Sequence, residues 1–155
     1  MKGFKLKGKS RELPKLPSDG ILACLADLEM CEKHPNYEIN MIDWHFYNRH
    51  TKRCEVCLGG ARIARVLGSP GEASAPSQFP NESGKISAMD DFRIGFVNTG
   101  VDKYLNRPLT DKENETIRNL NERYENKFCP TYTESPARVK LYLKEMAAEL
   151  KKVGF

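Results

Sequence analysis

Four of the five cysteines and all three histidines fall between residues 24 and 57. Thiols and imidazoles gathered in this way can bind a metal, attack an electrophile or exchange electrons. Zinc takes thiolate and imidazole, usually as four ligands in two close pairs. Cys31 with His34, and Cys54 with Cys57, form such pairs and are the candidate zinc ligands. Against zinc, His34 precedes Pro35 in a polar turn without the glycine that ribbon turns carry nearby. Cys24 and Cys31 are also spaced as two core positions of one helix face, and cysteine is a common small core hydrophobe. The expectation is no cofactor, with zinc as the alternative.

A catalytic use of the same residues would make Cys57 or Cys54 the nucleophile, His45 its base and Asp43 the group that orients the imidazole. A thiol at a helix N-terminus has a lowered pKa, because the helix dipole favours the thiolate. Asp43 and His45 flank Trp44, so an extended chain sends both to one side. The plainer reading is preferred: Trp44 plugs the core while Asp43 and His45 bond to backbone groups. A redox role for Cys54 and Cys57 lacks the strand and βαβ context of thioredoxin-like proteins. No P-loop, dinucleotide glycine fingerprint, HExxH or GxSxG motif occurs in the chain.

The elements that must hold these residues read mainly as helices. Ser18 is a good helix cap, followed by Ile21, Leu22, Leu25 and Leu28 at helical spacing, and Pro35 ends the segment after about Cys31. Tyr37 to His50 is aromatic-rich without a 3.6-residue period, and reads as extended or irregular chain over the core. Cys54 to Leu67 reads as a helix with Cys57, Ala61 and Ala64 on one face and Arg62 and Arg65 on another. Gly59 and Gly60 each weaken that helix by up to about 1 kcal/mol, so another backbone should approach closely there.

Gly68 to Gly84 holds three prolines, three glycines and four serines and reads as a flexible loop. Two short helices then break at Gly95. Thr110 and Glu113 form a capping box ahead of a helix with Ile117, Leu120, Tyr124 and Phe128 in its stripe. Ser135 and Pro136 open the last helix, with Val139, Leu143, Met146, Leu150 and Val153 buried and Gly154 as its stop. The expected fold is mainly α: a compact single-domain bundle of five or six helices with an irregular aromatic-rich segment. Residues 1–17 form a basic flexible arm, and residues 18–155 a helical domain with the loop at 68–84.

Composition agrees with one globular domain: 155 residues, 39% hydrophobic and 30% charged. No apolar run has the length of a membrane span and the basic start lacks a signal peptide's apolar stretch, so a cytoplasmic location without membrane contact is expected. An odd number of cysteines argues against a secreted disulfide framework. The net charge of +4 is mild but uneven: Lys2, Lys5, Lys7, Lys9, Arg11 and Lys15 oppose only Glu12 in the arm. That arm could meet phosphates or an acidic protein surface, and a solvated terminus is its plain alternative.

Met41-Ile42-Asp43-Trp44-His45, followed by Cys54-Glu55-Val56-Cys57-Leu58-Gly59-Gly60-Ala61, resembles a signature of small phage and prophage proteins of unknown function. Their pattern is D-x-W-H followed by C-x-x-C-x-[AG]-G, and Gly59 stands here where alanine is usual. Ala88 to Gly95 and the closing amphipathic helix are also similar to that group, whereas the basic arm is not. The resemblance implies a phage origin, hence a bacterial host's cytoplasm, and no assigned activity. Three functions are expected in this order. The first is an accessory protein that binds a host protein, including one of a defence system, through Arg62, Arg65, Lys5, Lys7 and Lys9 or the loop. The second is a nucleic-acid binder using the arm with Arg49, Lys52, Arg53, Arg62 and Arg65. The third is a cysteine-dependent enzyme.

Overall fold

The computed structural model describes residues 4–8, 12–67, 75–125 and 131–155. Its first helix, α1, spans Pro17–Lys33. The cap is Leu16 in extended conformation, not Ser18, and Pro17 occupies the first turn, where its missing N–H removes no helical bond. Ser18 is instead buried, and its backbone N–H donates to the carbonyl of Phe155 at 2.9 Å. That bond ties the start of α1 to the far end of the described chain. Ile21, Cys24, Leu25, Leu28 and Cys31 line the buried face, and Asp27 shares it.

The aromatic-rich stretch resolves into short strands rather than irregular chain. They are β1 (Tyr37–Ile39), β2 (His45–Asn48) and β3 (Arg53–Val56), in the order β1-β3-β2. β1 runs parallel to β3 with Tyr37 opposite Cys54 and Glu38 opposite Glu55. β2 runs antiparallel to β3 with His45 opposite Val56 and Tyr47 opposite Cys54. The two-residue alternation of strands therefore puts Tyr37, Cys54, Val56, His45 and Tyr47 on the core face. Glu38, Glu55 and Phe46 take the other face. The turn between β2 and β3 is held by the Asn48 side chain, whose Oδ1 accepts from the N–H groups of His50 and Thr51.

Helix α2 is Leu58–Leu67, so Cys54 belongs to β3 and not to a helix start. The expected close approach is present: a Cβ on Gly60 would lie 1.4 Å from the Trp44 carbonyl oxygen. After a 3₁₀ turn at Pro76–Gln78, α3 (Ser83–Ile94) and α4 (Val97–Leu105) pack against each other and are joined at Gly95, whose φ of +91° suits glycine. Residues 68–74 of the expected loop lie outside the described residues, and Ser83 and Gly84 are already helical. Helix α5 is Asp111–Glu125, with the capping box formed as expected by Thr110 and Glu113. Phe128 and Cys129 lie outside the described residues.

Helix α6, Pro136–Lys152, buries Val139, Leu143, Met146 and Leu150 against α1 and stops before Gly154 at φ +94°. The domain is mainly α, with six helices and one small sheet among the described residues. Its N-terminal segment is not a free arm where it is described. Phe4, Leu6 and Leu13 are buried, the Tyr37 hydroxyl donates to the Phe4 carbonyl at 2.6 Å, and the Phe4 ring meets Tyr37 and Tyr47 edge-on. Alternating apolar residues let Lys5 and Lys7 stay in water while their neighbours pack.

Candidate functional site

Cysteines 24, 31, 54 and 57 are all buried and unoxidised. Cys57 stands just ahead of α2, and its Sγ accepts the Gly60 N–H at 3.3 Å. A helix N-terminus was expected to lower this thiol. Burial outweighs the Gly60 and Gly59 N–H groups and pushes it up to about 11. Burial also raises Cys54 to about 11. For Cys24 and Cys31 burial, with the nearby Asp27 carboxylate second, drives the thiols far above the usual range. A nucleophilic cysteine needs the reverse at neutral pH.

The remaining members of the expected triad are dispersed. His45 is buried on β2 among the aromatic rings, with its ring centroid 6.5 Å from that of Tyr37. It shares the core face with Cys54 as a diagonal cross-strand neighbour, whereas Cys57 has left the sheet. Asp43 does not orient His45. Its carboxylate accepts from Asn40 Nδ2 at 3.3 Å, in a turn on the outer side of the sheet. His34 accepts the Asn36 N–H through Nδ1 and packs its ring edge against Tyr37. Among the described residues, no three His, Cys, Asp or Glu side chains gather as metal ligands, so Cys31, His34, Cys54 and Cys57 do not form the tetrahedral group that zinc takes.

These placements predict thiol chemistry. Brief treatment of the folded protein with iodoacetamide at pH 7 should leave Cys24, Cys31, Cys54 and Cys57 unmodified, and all four should label in denaturant. Peptide mass mapping reads this directly. Fast labelling of Cys54 or Cys57 in the folded state would restore the nucleophile.

Arg62 was expected on an exposed contact face, and the fold turns it inward. Arg62 is 5% exposed and its guanidinium forks onto Glu82, with Nε to Oε2 at 3.0 Å and Nη2 to Oε1 at 2.8 Å. Asp27 of α1 lies 3.9 Å from Arg62 and 3.7 Å from Arg65. Arg65 also donates to the Lys7 carbonyl, and Glu82 accepts the Leu13 N–H at 3.0 Å. The cluster thus staples the N-terminal segment to α1, α2 and the start of α3. Of the expected contact residues Lys5 and Lys7 are exposed, and Lys9 lies outside the described residues. A signal for the cluster was present: Asp27 falls on the apolar stripe of Cys24, Leu28 and Cys31, where a carboxylate requires a buried cation.

Among the surface features of the described residues is a groove of about 880 Å³ between the outer side of the sheet, the end of α3 and the entry to α6. Its rim is set by an Asx turn in which Asn40 Oδ1 accepts the Ile42 N–H at 3.1 Å, which leaves Ile42 89% exposed. Asn40 Nδ2 also donates to Glu55 at 3.0 Å, so one amide bridges Glu55 and Asp43. Burial first and Glu55 second hold the Asp43 carboxyl above its usual range. Opposite stand Asp90 and Arg93, paired at 2.7 Å, and Ile94, which is 41% exposed. Neither Glu38, Glu55 nor Tyr132 drew notice in the sequence, because only strand register and tertiary packing bring them together.

No protein-family model matches the chain, and no curated protein or solved structure matches it. Among the described residues, no helix is long and apolar enough to cross a membrane.

Proposed function

We propose that the chain is a small phage-type accessory protein that binds a protein of the bacterial host and inhibits or redirects it, a defence system being one such target. The observation that supports this most is the groove, where the apolar side chains of Ile42 and Ile94 stand in water beside Glu38 and Glu55, neither of them ion-paired among the described residues. Exposed apolar side chains gathered in a concave surface and rimmed by polar groups suit a protein contact site. A nucleic-acid role is less well supported. Arg62 and Arg65 serve internal ion pairs, and Arg53 donates to the Tyr37 carbonyl. Three of the cations assigned to that role are therefore committed to the fold. The raised thiols of Cys54 and Cys57 weigh equally against the cysteine enzyme.

A tagged pull-down from host lysate, with and without nuclease and read by quantitative mass spectrometry, tests the reading. One host protein should be retained in both conditions. Recovery that disappears on nuclease treatment would instead give first place to nucleic acid.

A further inference from the structure

We propose that the groove beside β1 takes a short basic segment of a partner protein, with leucine or isoleucine side chains between its arginines or lysines. This rests on the reading of the chain as a protein-binding accessory and assigns that binding to one surface.

Two observations select the occupant. Volume comes first: about 880 Å³ lies within the range of roughly 300–1,000 Å³ in which ligand sites fall, and exposed Ile42 and Ile94 offer apolar anchors on facing walls. Charge comes second. Glu38 and Glu55 are directly paired in register on adjacent strands, a placement that like charges oppose. Among the described residues neither is ion-paired, while the groove's Arg93 is already neutralised by Asp90. In a chain of net charge +4 this is a local excess of negative charge, which suits guanidinium or ammonium groups and repels phosphates.

An extended peptide supplies both features: apolar side chains for Ile42 and Ile94, and cations for Glu38 and Glu55.

The test is fluorescence anisotropy with labelled peptides of alternating arginine and leucine, against glutamate–leucine and arginine–serine peptides of equal length and a DNA duplex. The arginine–leucine peptide should bind the protein best. The Glu38→Lys/Glu55→Lys double variant should bind it at least about tenfold more weakly, whereas Glu115→Lys, an equal type of charge change on exposed α5, should not. Ile42→Ser should weaken binding severalfold while leaving the melting temperature unchanged, since Ile42 is 89% exposed and outside the core, which separates a lost contact from a lost fold. Equal binding of the acidic peptide or of DNA, self-association in place of peptide binding, or indifference to the double variant would each overturn the proposal. The pull-down repeated with the double variant separates the two levels. A host protein retained equally by both forms would overturn the groove and leave the accessory reading intact. Retention of none by the unmodified protein, in both nuclease conditions, would count against that reading itself.

Discussion

The Gly60→Ala variant is expected to lose on the order of 3 kcal/mol of stability, although alanine is the better helix former by about 1 kcal/mol. The added methyl would sit 1.4 Å from the carbonyl oxygen of Trp44 and 2.5 Å from its carbonyl carbon. Both are backbone atoms, so no rotamer change relieves the overlap. The chain entering β2 must move away from α2, and His45 and Tyr47 would be pulled from the core with it. Gly154→Ala is the informative comparison. Its φ of +94° strains an alanine by about 1 kcal/mol, yet no atom lies within 4 Å of the new methyl. Urea unfolding followed by the fluorescence of Trp44, the chain's single tryptophan, reports on the contact in question. Equal midpoints for Gly60→Ala and the parent protein would mean that α2 and the β2 entry are not packed as described.

The glycine pair shows what kind of information the chain displays on its face. Two helix-weakening residues side by side require a compensating contact, and the requirement is local, so it is legible. The same holds for the capping box at Thr110 and Glu113, for Pro136 at the start of α6 and for the break at Gly95. Strands of three or four residues give no comparable signal. Arg53-Cys54-Glu55-Val56 does alternate polar and apolar, but four residues of alternation preceding an apolar run are equally a helix start. Pairing makes it a strand: antiparallel with His45–Asn48 on one side, and on the other parallel with Tyr37–Ile39, a contact that no hairpin turn announces. The groove was hidden for the same reason. Glu38 and Glu55 become neighbours through register, and Ile94 and Tyr132 through helix packing.

The cysteines are a different case. Their spacing resembles ligand pairs, yet Cys24 and Cys31 are seven apart because α1 buries one face, and Cys54 alternates into the core from β3. Spacing reports periodicity before it reports chemistry. The N-terminal segment likewise reads as an arm by charge alone, whereas Phe4, Leu6 and Leu13 are what hold it down.

Removal of the Arg62 guanidinium should rank with the largest single losses in the protein. Arg62→Ala leaves Glu82 and Asp27 as largely buried carboxylates without their main cation, a loss of about 3–5 kcal/mol for a broken buried pair. The Leu13 tether to Glu82 would loosen with it, so the N-terminal segment should become the first site of proteolytic cleavage. The cluster also sets a pH profile. Burial raises Asp27 to about 6, with Arg62 and Arg65 only partly opposing it. The folded protein therefore keeps a proton that the unfolded chain has released between about pH 4 and 6, so Asp27's contribution is present at low pH and lost as pH rises through about 6. Glu82 has the opposite sign. Burial alone would raise it, but the Arg62 fork and the Leu13 N–H hold it below its usual value. Its contribution is present above that value and lost as pH falls through the folded one. Stability should thus peak near about pH 4, where the two slopes cancel, and decline on both sides. In urea titrations across this range, Asp27→Asn should flatten the decline between about pH 4 and 6, and Glu82→Gln should flatten the acid side. If Asp27→Asn leaves the upper slope unchanged, the titrating group is elsewhere and the cluster is held by its hydrogen bonds alone.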